Sequence, residues 1–425
     1  MTIRNKKIAI IGGGPGGLTL ARLLQLKGFE VKVYERDINR YTRIQGGSLD
    51  LHTDAGLAAL TKAGLMDEFK AHYRPGADRT RVVDNQANIH YDEHQEKVSQ
   101  EFGGKHHRPE IDRGPLRDIL LDSLKENTVV WNTHILGIKS LNDQWKIQFA
   151  NEQTVIADIV IGADGANSKI RPFVTDIKPC WTGITMIEGS LKDGAKTAPN
   201  IHKLLKGGKV FAYGNGKTLI VSAKGNGSFG FSTSHKTAES WCQEGGIGFQ
   251  DNQQLLDWFK KEFSEWSDIW WELFEDKSTQ FIPRPQYCMP LDQRWAPQSN
   301  ITLIGDAAHL MPPFAGEGVN MAMLDALNLS EALTNPVFTD TKTAIAAYEK
   351  EMFKRFSITG KGTLFNTRWM HQPTALRDML ALFSKNKLKQ LVFMTKYISH
   401  IYLLPGLRKA FAPSRNKNSV ASALR

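Results

Sequence analysis

The sequence predicts an α/β fold: a parallel, Rossmann-like sheet domain, an inserted and mainly antiparallel β-sheet domain, and a helical C-terminus. Three observations predict it. A βαβ unit opens the chain, two further strand-to-turn segments recur far downstream, and between those two the texture changes to short strands separated by Gly/Asn turns.

The first strand is Lys7–Ile11, an apolar run of the kind buried in parallel sheets. It breaks into Gly12-Gly13-Gly14-Pro15-Gly16-Gly17, after which Leu18, Ala21, Leu24 and Leu26 follow at helical spacing. Gly28 ends that helix and Val31–Tyr34 begins the second strand. In Gly12-x-Gly14-x-x-Gly17 the first glycine allows a tight turn and the second lets backbone approach a pyrophosphate. The third permits close helix–strand packing, and the helix N-terminus attracts negative charge. Glu35 closes the second strand, where an acid can bond a ribose hydroxyl. The same spacing recurs at Gly225-Asn226-Gly227-Ser228-Phe229-Gly230, but a strand-like run follows it, so it reads as a hairpin turn.

The second unit is Ile156–Asp164, continuing as Gly162-Ala163-Asp164-Gly165-Ala166-Asn167-Ser168-Lys169-Ile170-Arg171. The third is Ile301–Asp306, continuing from Gly305 to Asn320 into a helix from about Val319 to Leu333. Each sets an aspartate just past an apolar strand, where ligands sit in open α/β sheets. Taken singly, Asp164 or Asp306 could simply cap a turn. Between Asp176 and Tyr287, the runs Lys209–Tyr213, Thr218–Ala223 and Phe229–Thr233 read as an inserted sheet. The aromatic stretch Leu255–Phe274 reads as a packed helical cover. The expected domains are residues 1–175 with 288–340, then 176–287, then 341–425 as C-terminal helices with a basic tail.

Composition removes several function classes. The formal charge is +10, yet nine Lys and Arg and no Asp or Glu lie between Ala381 and Arg425, leaving the first 380 residues at +1. A broad basic face for nucleic acid is therefore not expected. Cys180, Cys242 and Cys288 lie far apart without CxxC spacing, which argues against a disulfide framework or zinc knuckle and for a cytoplasmic chain. Lys6-Lys7 before Ile8–Ile11 is too short a run for a signal peptide, and nothing approaches the roughly 20 apolar residues of a spanning helix. His106-His107 lacks a third metal partner and reads as loop. Apolar residues from Leu388 to Tyr402, interleaved with lysines, suggest either a helix packed on the body or one lying on a membrane surface, the packed helix being preferred.

With its three motifs in this order, the chain resembles the class A FAD-dependent aromatic hydroxylases, and within them the TetX-type, tetracycline-inactivating flavin monooxygenases. Tyr34–Asp37, Arg43–His52, Arg108–Arg113 and Gly305–Asn320 carry that likeness. It implies FAD bound through Gly12, Gly14, Gly17, Glu35, Arg36, Asp50, Arg113, Asp164, Asp306, Pro313, Gly316, Gly318 and Asn320, with Arg43 contacting NADPH. It further implies an NADPH-consuming monooxygenase, acting through a C4a-hydroperoxyflavin on an aromatic or enolic polycyclic substrate such as a tetracycline. Other aromatic, quinone or lipid substrates, or a non-catalytic flavin-binding protein, are the alternatives. A monomer without nucleic-acid or metal partners is expected. Where the TetX pattern places Gln, Arg and His on the substrate-facing sheet, this chain has Glu188, Lys209 and Ser228.

Overall fold

A computed structural model describes residues 5–42, 47–95, 102, 108–244, 247–384 and 387–402. Arg43, His106-His107 and the tail beyond residue 402 lie outside the described residues.

The parallel sheet has five strands, ordered Ile301–Leu303, Ile159–Gly162, Ile8–Ile11, Val31–Tyr34 and Val129–Val130. All four neighbouring pairs are parallel, with Ile8 opposite both Val31 and Ile159, and Val160 opposite Ile301. Its central strands are buried throughout, which is why they read as unbroken apolar runs. The helices Pro15–Leu26 and Gly318–Thr334 pack closely: a Cβ on Gly16 would lie 3.1 Å from the Ala322 carbonyl oxygen. Two helix N-termini are thereby brought to one end of the sheet.

The segment expected as one strand at Ile156–Asp164 divides in two. Thr154–Ala157 joins an antiparallel sheet with Ile135–Leu141 and Gln144–Phe149, whereas Ile159–Gly162 joins the parallel one. Asp158 marks the division, its carboxylate accepting the Lys7 amide at 2.6 Å and the Gln144 side chain at 2.8 Å.

The second large sheet has seven strands, ordered Gln280–Cys288, Cys180–Leu191, Phe229–Lys236, Lys217–Ala223, Lys209–Gly214, Thr80–Asp84 and Ile89–Asp92. Its last two strands come from well before residue 176, and Thr80–Asp84 joins Lys209–Gly214 in the one parallel pairing of the sheet. Gly225–Gly230 turns the antiparallel hairpin between Lys217–Ala223 and Phe229–Lys236, as its context predicts. One face of this sheet (Ile187, Leu219, Val221, Phe231) is sealed by an aromatic core of Phe259, Phe263, Trp266, Trp270 and Phe274. The other face (Val82, Tyr213, Phe211, Ile220) meets Trp369 and Met370 of the long helix Thr341–Met370, the helix Ala375–Leu382, and Phe314. Phe314 belongs to the loop that follows the Ile301–Leu303 strand, so that loop brings the end of the parallel sheet into contact with the seven-stranded one.

Candidate functional site

The glycine turn is shaped by its neighbours. Gly12 has φ +111°, and a Cβ there would lie 2.3 Å from the Ala163 carbonyl oxygen, so the first and second motifs touch directly. A Cβ on Gly17 would lie 2.1 Å from the Gly12 carbonyl oxygen. Around a Cβ on Gly14, by contrast, no atom of the chain lies within 4 Å. Gly14 begins the Pro15–Leu26 helix without a side-chain cap, leaving the helix's first amides to other acceptors. Glu35 closes the other side of the turn: its carboxylate accepts the Gly13 amide at 2.6 Å and the Asp37 amide at 3.1 Å. Arg36 beside it is exposed.

The second motif supports the third. Asp164 caps its own turn, accepting from the Ser168 hydroxyl at 2.6 Å and the Lys169 amide at 2.7 Å. Burial nonetheless pushes its carboxyl above the ordinary aspartate value. Arg171, which ends that motif, is buried and donates to the carbonyls of Asp306 and Ala307, both at 2.6 Å. The turn is gripped from the far side as well. Asp325, fully buried, accepts the Gly305 amide at 2.9 Å and holds His309 and Arg355, both at 2.5 Å. Burial pushes the Asp325 carboxyl up, but His309, Arg355 and the Gly305 amide outweigh it and hold the carboxyl below its ordinary value. Arg171 and Asp325 escaped the sequence reading as site residues; an arginine closing a glycine-rich run and an aspartate within an apolar helix were the available signals.

Asp306 itself is different. Its carboxylate makes no hydrogen bond among the described residues. Burial raises its carboxyl, with His309, Arg113 and Arg171 as opposing charges.

Asn320 is fully buried and ties the end of the Ser48–Asp50 strand and the turn after it to the third motif: its Oδ1 accepts the His52 and Gly56 amides, and its Nδ2 donates to the Asp50 carbonyl at 2.9 Å. The Asp50 carboxylate meets His52 at 3.1 Å, and His52 lies 3.5 Å from Glu317. Burial opposes ionisation of Asp50, but His52, Lys209 and Arg108 hold its carboxyl below the ordinary range. Gly316 (φ +69°) closes the loop with its amide donating to the Pro313 carbonyl at 2.9 Å, and a Cβ on Gly318 would meet nothing within 4 Å. Pro313 is exposed, as is Arg113, which starts the helix Arg113–Asp122. Glu110, buried three residues before Arg113 on Ser48–Asp50's partner strand, is ion-paired with Lys209 of the seven-stranded sheet.

These residues fit an FAD molecule. Open space over Gly14 and Gly318, uncapped amides at two helix starts, and an Asp306 carboxylate with no hydrogen-bond partner of its own all belong to segments that follow strands of the parallel sheet. Asp164 and Asn320 spend their side chains on the chain itself and shape the set. Among the described residues no group of His, Cys, Asp and Glu is arranged to hold a metal.

Comparison with known proteins agrees. The family model described as "FAD binding domain" matches residues 5–356. Monooxygenase asqM of Emericella nidulans is 29% identical over 416 residues, covering 82% of this chain and 92% of its own. Among solved structures, Klebsiella pneumoniae HpxO complexed with FAD and uric acid is similar with TM-score 0.67 at 18% identity, over 92% of both chains. Tetracycline destructase Tet(55) is similar with TM-score 0.71 at 19% identity, over 93% of this chain and 97% of its own. With the family model spanning most of its length, this chain belongs to the FAD binding domain family and carries the fold of FAD-dependent monooxygenases.

Proposed function

We propose that the protein is an NADPH-consuming flavin monooxygenase that inserts one oxygen atom into a planar aromatic or enolic polycyclic substrate. The observation that carries this reading is the placement of the unpartnered Asp306 carboxylate and the open Gly318 helix start on a loop whose Phe314 faces the seven-stranded sheet. A cofactor held there lies beside a second, apolar surface able to receive an aromatic ring. The FAD-binding family and the monooxygenases named among the similar chains support it.

FAD, when bound, supplies the electron transfer and oxygen activation. The chain's own groups do the rest. The Gly14–Gly17 amides receive pyrophosphate charge, and Glu35 and Asp306 accept hydroxyls of the nucleotide and its ribityl chain. The start of the Gly318–Thr334 helix offers positive potential to negative charge developing on the ring system. Phe211, Ile220 and Phe314 keep water from the reacting carbon. Arg43 is assigned to NADPH by resemblance alone.

For the substrate we favour tetracycline-like phenol–enols, because the tetracycline destructases share the fold. The polar positions differ in what they do. Glu188 pairs with Arg284 at 3.0 Å, Lys209 is engaged by Glu110, and Ser228 bonds Asn226 within the hairpin turn. The test is NADPH and NADH oxidation with O₂ uptake across tetracyclines and simple phenols, with product masses. A tetracycline product heavier by one oxygen is expected. Turnover only with other aromatics would reject the tetracycline assignment. FAD that stays oxidised under anaerobic NADPH, with every candidate ligand present, would overturn the monooxygenase reading.

A further inference from the structure

The cysteines are distant in sequence but not in space. Cys180 opens the strand Cys180–Leu191, Cys288 closes Gln280–Cys288, and the two are direct register partners in that antiparallel pair. Directly opposed residues have Cα atoms about 4.5–5.5 Å apart with side chains on one face. Disulfides join Cα atoms about 4.4–6.8 Å apart. Both thiols are free in the structure, Cys180 exposed and Cys288 buried. The two groups also sense one another: burial, reinforced by the neighbouring Cys180, pushes the Cys288 thiol up to about 12. Distance in sequence and the lack of CxxC spacing, which argue against a disulfide framework, do not show that the strand pairing sets two of these cysteines side by side.

We propose that Cys180 and Cys288 are a reversible redox pair that a peroxide converts into a cross-strand disulfide. Cys180, the exposed thiol, attacks the peroxide oxygen: an S–O bond forms, the O–O bond breaks, and one water leaves. The Cys288 sulfur then attacks the Cys180 sulfenic acid: the S–S bond forms, the S–O bond breaks, and a second water leaves. Two thiols lose two electrons and one hydrogen peroxide becomes two waters.

The position gives the bond a consequence. These are the strands by which the chain enters and leaves the seven-stranded sheet after residue 176. Immediately after Cys288, the Met289 amide donates to the Leu310 carbonyl at 2.8 Å, and its sulfur lies 3.4 Å from the Arg171 guanidinium. A staple here ties both crossings together beside the loop that presents Asp306. Cys242 is not a competitor. It lies near Tyr287, and Tyr287 and Cys288, adjacent in one strand, point to opposite faces.

The test uses the full-length, FAD-loaded protein treated with hydrogen peroxide, alkylated, and peptide-mapped without reductant. A Cys180–Cys288 cross-linked peptide is expected, two mass units below the sum of its thiol peptides and lost on treatment with dithiothreitol. The thermal midpoint should rise by about 3–8 °C on oxidation, since the bond closes a long loop. C180S should abolish both effects; its site is exposed, and the wild-type map decides the question without it. Cys180 recovered as sulfinic acid with Cys288 still a thiol, or Cys180 bridged to Cys242 or to a second chain, would overturn the proposal.

Discussion

Gly14→Ala and Gly17→Ala separate the cofactor from the scaffold. Gly14 has φ −78° and ψ 176°, which any residue adopts, and its Cβ position is empty out to 4 Å. Alanine there costs the apo chain nothing sterically and stiffens its unfolded state, for a change of about 0–1 kcal/mol in favour of folding. At Gly17 the Cβ would sit 2.1 Å from a backbone oxygen, more than an ångström inside normal contact. Backbone must move, at about 1–3 kcal/mol or more. The ordering reverses for FAD. A methyl on Gly14 occupies the surface where the pyrophosphate approaches and lengthens its bonds to the helix amides. Hydrogen bonds to charged groups are worth about 1.5–3 kcal/mol, so FAD affinity should fall about 10- to 100-fold. Thermal melts of both apo proteins and FAD titration by flavin fluorescence read the two effects. G14A should melt within about 2 °C of the parent and bind FAD weakly; G17A should lose about 4 °C or more. If G14A bound FAD as tightly as the parent, the pyrophosphate would not sit over Gly14 and the site as drawn would be wrong.

Asp306→Asn should leave apo stability unchanged or slightly higher at pH 7, because burial disfavours that carboxylate and no partner is lost, while FAD affinity falls about tenfold by titration. Arg171→Met strands two backbone carbonyls, so it should cost about 2–5 kcal/mol in urea unfolding and weaken FAD binding through the displaced Asp306 loop. His235 and His371, both buried, are pushed by burial down to about 4. Between the ordinary histidine value and 4 the unfolded chain binds protons that the folded chain refuses. Stability should therefore fall as pH drops through that window, each residue contributing up to about 1.4 kcal/mol per pH unit. Urea midpoints from pH 7.5 to 4.5 check this, and H371Q should flatten the slope by about one proton.

Local patterns were legible where a short segment carries its own physics. The glycine turn, the decoy hairpin at Gly225–Gly230 and the aromatic cover from Trp258 to Phe274 each announce themselves by spacing. Side chains that act across the fold did not. Thr80–Asp84 and Ile89–Asp92 look like any short strands, and only pairing with Lys209–Gly214 assigns them to the distant sheet. Asp164 is bonded within its own turn, a role its position announces, whereas Arg171, seven residues on, reaches the Asp306 carbonyl. Charge within a motif is visible in sequence; the acceptor it meets more than a hundred positions away is not.

The strand order also constrains biosynthesis. Ile8–Ile11 pairs early with Val31–Tyr34, but its other edge stays open until Ile159–Gly162 has been made, and that strand in turn waits for Ile301–Leu303. During translation a wholly apolar strand therefore stands with one unpaired edge for some 125 residues of growth after Tyr34. The nascent chain should depend on chaperone cover over this interval.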